Sequence, residues 1–177
     1  MAASDIAARA LPILERLVGF DTTSHRSNLA LIDWVEAYLA ELGIASRRVG
    51  DATGLKANLI ASIGPAAEGG VILSGHTDVV PVDGQPWTSD PFVVTRKGDR
   101  LFGRGVADMK SFSALALAAA PEMLAAPLKR PVHLALSYDE EIGCFGAPLM
   151  IAAIAADLPR PALAVIGEPT SMRVVSA

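Results

Sequence analysis

The feature that most constrains this sequence is a set of three apolar runs, each of which ends on residues that can bind a metal. The runs cover residues 71–75, 132–138 and 163–167, and each has the length and composition of a buried β-strand. They lead directly into His76-Thr77-Asp78, Asp139-Glu140-Glu141 and Glu168-Pro169. Ligands of open α/β sheets bind outside the carboxyl ends of the strands. Parallel strands would therefore bring these imidazole and carboxylate groups to one edge, as a metal site.

Segments with helical periodicity separate the apolar runs. Helices are predicted over about residues 6–17, 28–42, 110–124 and 147–156, and Pro12 is expected to kink or shorten the first. Further strands are predicted at about 44–49 and 58–63, and a long irregular loop at 81–100. The alternation predicts one α/β domain, with a mostly parallel sheet and flanking helices. The end of the sequence, 174–177, is expected to lie within or just after a strand.

Charge and composition argue against several classes of partner. The formal net charge is −4 and no run of Lys or Arg occurs, which is unlike a nucleic-acid-binding protein. The longest apolar stretch, 112–128, is interrupted by Pro121, Glu122 and Pro127, so we predict no transmembrane segment. The N-terminus has an amphipathic pattern unlike a signal peptide, and Cys144 is the single cysteine. We therefore expect a cytoplasmic protein that contacts neither nucleic acid nor membrane.

Three of the candidate ligands also have purely structural interpretations. His76 and Asp78 face the same way in extended backbone, so Asp78 could hold the imidazole nitrogen that is not bound to metal. A strand-end pair with only a local structural role is equally acceptable. Asp108 alone is typical of a helix N-cap. Glu168, which Pro169 biases towards extended backbone, could be an ordinary surface acid.

The three consecutive acids at 139–141 are the strongest single signal. Their charges repel one another and need a cation, solvent or protonation to offset the cost. A solvated acidic turn is the alternative, and it is less expected directly after a buried strand. Glu140 and Glu141 can diverge, so that one binds metal while the other faces a reactive water. One imidazole with several carboxylates suits Zn²⁺, Co²⁺ or Mn²⁺ rather than Ca²⁺.

Three other residues receive structural interpretations. His133 lies inside the second apolar run and is predicted to be a structural histidine with its polar atoms satisfied. His25 belongs to a polar loop that more often would not reach such a site. Cys144 is predicted to be a small packing residue rather than a nucleophile or redox group.

Four segments together resemble a known family. Ser-Gly-His-Thr-Asp-Val-Val-Pro at 74–81, the segment 103–110, Asp-Glu-Glu at 139–141 and Gly-Glu-Pro-Thr at 167–170 are similar, in order and spacing, to the M20 family of dinuclear zinc amidohydrolases and peptidases. Within that family, segments 87–92 and 167–171 resemble the acetylornithine deacetylase branch. The resemblance covers essentially the whole chain.

The resemblance implies a role for each candidate site residue. His76 and Glu168 would hold one divalent ion and Glu141 another, Zn²⁺ or Co²⁺, with Asp108 bridging the two. Asp78 would support His76, and Glu140 would be the general base. The resemblance also implies a cis peptide bond between Asp108 and Met109.

The implied reaction is hydrolysis of the amide bond of a small N-acyl amino acid. N-acetyl-ornithine is the favoured substrate, as in arginine biosynthesis, and the full-length protein would be a homodimer. Succinyl-diaminopimelate desuccinylase, aminoacylase or peptidase action remain alternatives, as does an inactive metal-binding fragment.

The sequence also departs from the family pattern. Family members continue into a dimerisation domain and then return to the catalytic domain with a final histidine ligand, which neither His25 nor His133 matches. Ser111 stands where close relatives commonly have glycine. Residues 1–177 are therefore expected to be the N-terminal portion of a catalytic domain, and inactive alone.

Overall fold

Five strands of this chain form one sheet in a computed structural model, which describes residues 3–175. Among the described residues there are seven strands in all: β1 (Ser46–Gly50), β2 (Ala57–Ile63), β3 (Val71–His76), β4 (Thr95–Lys97), β5 (Arg100–Phe102), β6 (Val132–Ser137) and β7 (Leu163–Ile166). The helices are α1 (Ala3–Val18), α2 (Leu29–Glu41), α3 (Ser111–Ala118), α4 (Ala120–Ala125) and α5 (Ala147–Asp157). The order of strands in the sheet is β1-β2-β6-β3-β7, and β4 and β5 form a separate hairpin.

The predicted α/β class is confirmed, and the sheet is mixed. β6, β3 and β7 are parallel, whereas β1 pairs with β2, and β2 with β6, in the antiparallel sense. Parallel neighbours need a crossover of about a dozen residues or more. The segment 51–56 between β1 and β2 is too short for one, so these two strands form a hairpin. The parallel part of the sheet is thus the part that contains all three apolar runs.

The helices and the loop at 81–100 agree with the sequence pattern, with three differences. α1 continues through Pro12 and is not shortened by it. The helix expected over 110–124 is divided into α3 and α4. The loop expected over 81–100 contains β4 and the start of β5. Among the described residues, no helix combines the length and apolar character needed to cross a membrane.

The side chains of each strand alternate between the two faces of the sheet, and this divides the core into two layers. Leu59 of β2 packs in a large apolar cluster with residues of α1, α2 and α3. The next residue, Ile60, points to the opposite face and packs with Met150 and Ile154 of α5. Successive side chains of a strand point to opposite faces, so one sheet supports helices on both sides.

β7 is an exposed edge strand, contrary to the expectation of a third buried strand. Leu163, Val165 and Ile166 are 51%, 43% and 64% exposed. Within the described part of the chain β7 pairs with β3 alone, which leaves its other edge open. Residues 174–175 lie in no strand, contrary to expectation, and 176–177 fall outside the described residues.

Candidate metal centre

His76 is the last residue of β3, and its ring is held from two sides. The residue is 2% exposed. Its Nδ1 donates to the backbone carbonyl of Asp78 at 2.8 Å, and its Nε2 lies 3.0 Å from Oδ1 of Asp108. Burial alone would lower the pKa of His76, but the carboxylates of Asp78 and Asp108 outweigh it and raise that pKa to about 9. The ring is therefore orientated towards the carboxylates at the end of the sheet.

Asp108 and Glu168 complete a three-residue group with His76. One ligand atom from each of the three residues lies within 4.8 Å of the others. Oε1 of Glu168 is 3.8 Å from Nε2 of His76. The Asp108–Met109 peptide bond is cis, as the resemblance implies. Asp108 does not cap α3: that helix begins at Ser111, and no side-chain hydrogen bond caps it.

Asp78 is buried beneath this group and binds the acidic segment that follows β6. Its Oδ1 accepts the backbone N–H of Glu140 at 3.0 Å, and its Oδ2 accepts that of Glu141 at 3.2 Å. Its Oδ1 is also 3.5 Å from Nδ1 of His76, farther than its own backbone carbonyl. The expected support of His76 is thus shared between the carbonyl and the carboxylate. Burial alone would raise the pKa of Asp78, but hydrogen bonds with His76, Ser24 and the backbone of Glu140 outweigh it and lower that pKa.

The three consecutive acids separate into different environments. Asp139 is buried and pairs with the Nζ of Lys56, so it has a structural partner of its own. Glu140 is about a third exposed, with its Oε2 3.9 Å from Nε2 of His76. Glu141 is half-buried and stands outside the three-residue group found in the described residues. Glu140 is thus the acid nearer to the His76 ring, and the expectation that one of Glu140 and Glu141 binds metal while the other faces water stays a prediction.

The electrostatics of the site favour a bound cation. Burial and the charges of Asp108 and Glu140 raise the pKa of Glu168. Burial and the charge of Asp108 likewise raise the pKa of Glu141. Carboxylates whose charges raise one another's pKa are stabilised in the ionised form by a nearby positive charge, and a divalent ion supplies one. An imidazole with several carboxylate oxygens is a donor set that suits zinc.

A cleft of about 350 Å³ opens beside the group, between the sheet and α5. His76, Glu140 and Glu168 lie in its wall, and the remaining wall is mostly apolar, including Ile72 and Met150. Such a concave space, with a few convergent polar groups, suits a small molecule.

Three residues near the site have contacts that local patterns did not reveal. Ser24 donates its hydroxyl to Oδ2 of Asp78 at 2.7 Å. Lys56 contacts Asp139 and the carbonyl of Ser24. Lys110 is fully buried, and its Nζ donates to the carbonyls at positions 17 and 20, both at 2.9 Å. The polar cluster at 22–27 was the available signal for Ser24, but the partners of Thr22 and Ser24 near the site lie more than fifty residues away along the chain.

The histidines and the cysteine outside the group are placed as follows. His25 is exposed. His133 is buried in β6 with Nδ1 2.8 Å from the Ser62 hydroxyl, but its Nε2 has no partner, so the expected satisfaction is only half met. Cys144 is exposed, with Sγ 3.7 Å from Oε1 of Glu140. The expectation of a packing role for Cys144 is therefore wrong, because the short turn after 141 carries it to the surface.

Comparison with known families identifies the family of this chain. The family model for peptidase family M20/M25/M40 matches residues 72–176, which contain all six residues named above as candidate ligands or catalytic groups. The chain belongs to peptidase family M20/M25/M40. In this M20 chain, the matched region begins in β3 and includes every strand of the parallel part of the sheet.

Curated relatives of this M20 chain include acetylornithine deacetylases. The protein of that name from Yersinia pseudotuberculosis serotype O:1b is 39% identical over 175 residues, which cover 96% of this chain and 44% of the relative. The one from Proteus mirabilis is 40% identical over 159 residues, covering 89% and 40%. The chain therefore spans less than half the length of the curated relatives it matches.

Solved structures share the fold of this chain. A metallo-carboxypeptidase from Sulfolobus solfataricus superposes with a TM-score of 0.76 and 23% identity, over 89% of this chain and 37% of that one. Human carnosine dipeptidase 1 gives a TM-score of 0.74 and 21% identity, over 92% and 38%. At this level of identity the likeness concerns the fold alone.

Proposed function

We propose that the protein hydrolyses the amide bond of a small N-acyl amino acid with the help of two divalent ions, Zn²⁺ or Co²⁺. The observation that carries the proposal is the convergence of His76, Asp108 and Glu168, whose ligand atoms lie within 4.8 Å of one another. They meet at the carboxyl ends of parallel strands, where α/β folds bind their ligands. Membership of a metallopeptidase family supports the same reading.

In this proposal each carboxylate has a separate task. His76 and Glu168 would hold one ion, Glu141 would hold the other, and Asp108 would contribute to both. Burial and then the charge of Asp108 raise the pKa of Glu141, which supports a place for it near Asp108. A further ligand for the second ion would come from outside these 177 residues. Bound divalent ions lower the pKa of water and polarise the acyl carbonyl.

Glu140 is the proposed general base. Its Oε2 lies 3.9 Å from Nε2 of His76, close to the proposed ligands. Its backbone N–H is held by Asp78 at 3.0 Å, so the carboxylate has a fixed point of attachment. In the reaction Glu140 accepts a proton from the attacking water and later returns it to the leaving amine nitrogen. The Glu140 carboxylate is therefore regenerated in its ionised form at the end of the reaction.

N-acetyl-ornithine is the proposed substrate, giving ornithine and acetate. Relatives that are 39% and 40% identical carry the name acetylornithine deacetylase, which supports this choice. A place in arginine biosynthesis, a cytoplasmic location and a homodimeric full-length protein belong to the same proposal. So does the interpretation of residues 1–177 as the N-terminal portion of the catalytic domain, which is in keeping with the 44% of the relative that they cover.

The decisive experiment assays the full-length protein for metal content and hydrolysis together. Zinc-loaded protein is given N-acetyl-ornithine and N-succinyl-diaminopimelate in parallel. We expect turnover of the first in excess of the second, and a preference for the second would identify a desuccinylase. His76→Ala and Glu168→Ala should each weaken the same ion, whereas Asp108→Ala should weaken both. An Asp108→Ala protein that binds two zinc ions with unchanged affinity would contradict the bridge.

A further inference from the structure

Ser24 is a buried residue of the loop between α1 and α2 that contacts the site from outside the strands. Its Oγ donates to Oδ2 of Asp78 at 2.7 Å, and the residue is 3% exposed. Two backbone hydrogen bonds hold the loop in place: the N–H of Ser24 donates to the carbonyl of Val79 at 3.1 Å, and the N–H of Val79 to that of Thr22 at 3.2 Å. The hydroxyl therefore stands at a fixed position against the carboxylate.

Asp78 transmits this constraint to the acidic segment. The oxygen that accepts from Ser24, Oδ2, also accepts the N–H of Glu141, while Oδ1 accepts that of Glu140. Asp78 is 2% exposed, so water cannot replace a donor that moves away. Rotation of the carboxylate would break at least one of the three hydrogen bonds, and bonds to a charged group are the stronger kind. The donors together select one orientation of Asp78.

Lys56 is a second link between the loop that contains Ser24 and the acidic segment. Its Nζ contacts both the carbonyl of Ser24 and the carboxylate of Asp139. The loop that contains Ser24 and the turn that contains Asp139 are thus joined at two places: through Lys56 and through Asp78. A buried network in which every member has a partner is rigid, and the loss of one donor affects the whole set.

We infer that Ser24 is a positioning residue for the metal centre. Its hydroxyl fixes the carboxylate of Asp78, and that carboxylate in turn fixes the backbone at Glu140 and Glu141, the proposed base and the proposed ligand. The expected effect on metal binding rests on the proposed function. The expected effect on the position of Asp78 rests on the hydrogen bonds alone.

The test compares three variants of the full-length protein. Ser24→Ala removes the hydroxyl, and Ser24→Thr keeps it. Ser27→Ala is the matched control, because the Ser27 hydroxyl donates to the Leu55 carbonyl at 2.6 Å in the same loop but makes no contact with Asp78. Two quantities are measured: amide hydrogen exchange at Glu140 and Glu141 in the metal-free protein, and zinc affinity by competition with a chelator.

We expect Ser24→Ala to speed exchange at both amides and to weaken zinc binding, each by about tenfold. Ser24→Thr should restore both quantities, and Ser27→Ala should change neither. The inference is overturned if either quantity in Ser24→Ala matches the control, or if Ser24→Thr is as impaired as Ser24→Ala. Should the unmodified protein bind no zinc, the proposed function fails as well; if it does bind zinc, only the role of Ser24 is at stake.

Discussion

Glu140 and Glu141 are adjacent along the chain, yet we propose different tasks for them. Replacing Glu140 by Gln removes the proton acceptor and keeps a side chain of almost the same shape. We expect Glu140→Gln to retain zinc and to lose turnover by about 10²–10⁴-fold, the usual cost of losing a general base. Zinc content and kcat of the full-length protein measure the two effects. Glu141→Gln is the contrast, because it should lower zinc content first; near-normal turnover in Glu140→Gln would refute the assignment.

The pKa of His76 gives a pH dependence with a definite sign. It is raised to about 9 in the metal-free protein, so a proton occupies the ring below that pH and an incoming ion must displace it. Zinc affinity should therefore increase with pH, by up to about tenfold per unit, and level off above about pH 9. Chelator competition across this range is the measurement. Asp78→Asn removes a carboxylate that raises the pKa, so its curve should level off at lower pH.

At single residues, the sequence predicted the convergence of His76, Asp108 and Glu168 better than it predicted the other contacts around them. Each of the three lies near a strand end or after a glycine-rich turn, which is a local pattern, and their chemical roles stay a prediction. Ser24 could not be found in this way, because its importance comes from Asp78, 54 residues away. A hydroxyl in a polar loop looks the same whether it faces water or a buried carboxylate.

Among the elements, β6 contains a buried histidine whose titration should affect stability. Burial lowers the pKa of His133 in the folded protein, below that in the unfolded chain. Above about pH 6.5 the ring is neutral in both states, and as pH falls through that value the unfolded chain takes up a proton first. The free energy of unfolding should therefore decrease as the pH falls below about 6.5.

Replacement of His133 by Leu isolates this contribution. His133→Leu should weaken the pH dependence of stability below about pH 6.5, although it leaves the Ser62 hydroxyl without its partner. Denaturant unfolding at a series of pH values is the measurement. His25→Leu, the same change at an exposed histidine, is the control. Equal curves for the two variants would contradict the prediction.

Helices could be predicted from the periodic spacing of their apolar residues, whereas the pairing of the strands was harder to predict. α2 and α5 lie within a residue or two of their expected bounds, because apolar spacing along a helix is a local property. The antiparallel pairing of β1 and β2 depends on the length of the turn at 51–56, which the alternation of strands and helices does not encode. The exposure of β7 was missed because an apolar sequence shows what a strand can bury and not what is present to bury it.

At the scale of the whole molecule, the exposed face of β7 predicts self-association of the 177-residue chain. An apolar strand with an open edge can pair with a second copy. Val165→Lys places a charge on this strand and should shift the chain towards monomer. Val93→Lys is the matched control, because Val93 is 55% exposed and lies outside the sheet. Sedimentation velocity measures both; an unmodified chain that is monomeric at high concentration would refute the prediction.

The positions of the proposed ligands also set an order of events in folding. His76, Asp108 and Glu168 are far apart along the chain, and closing such long loops costs entropy that local structure does not repay. The three side chains meet only after β7 has docked beside β3, so zinc should bind late and only to a chain that has completed its sheet. An ion that binds only this state lowers its free energy. It would then act as a cross-link on β7, an edge strand that pairs with β3 alone among the described residues.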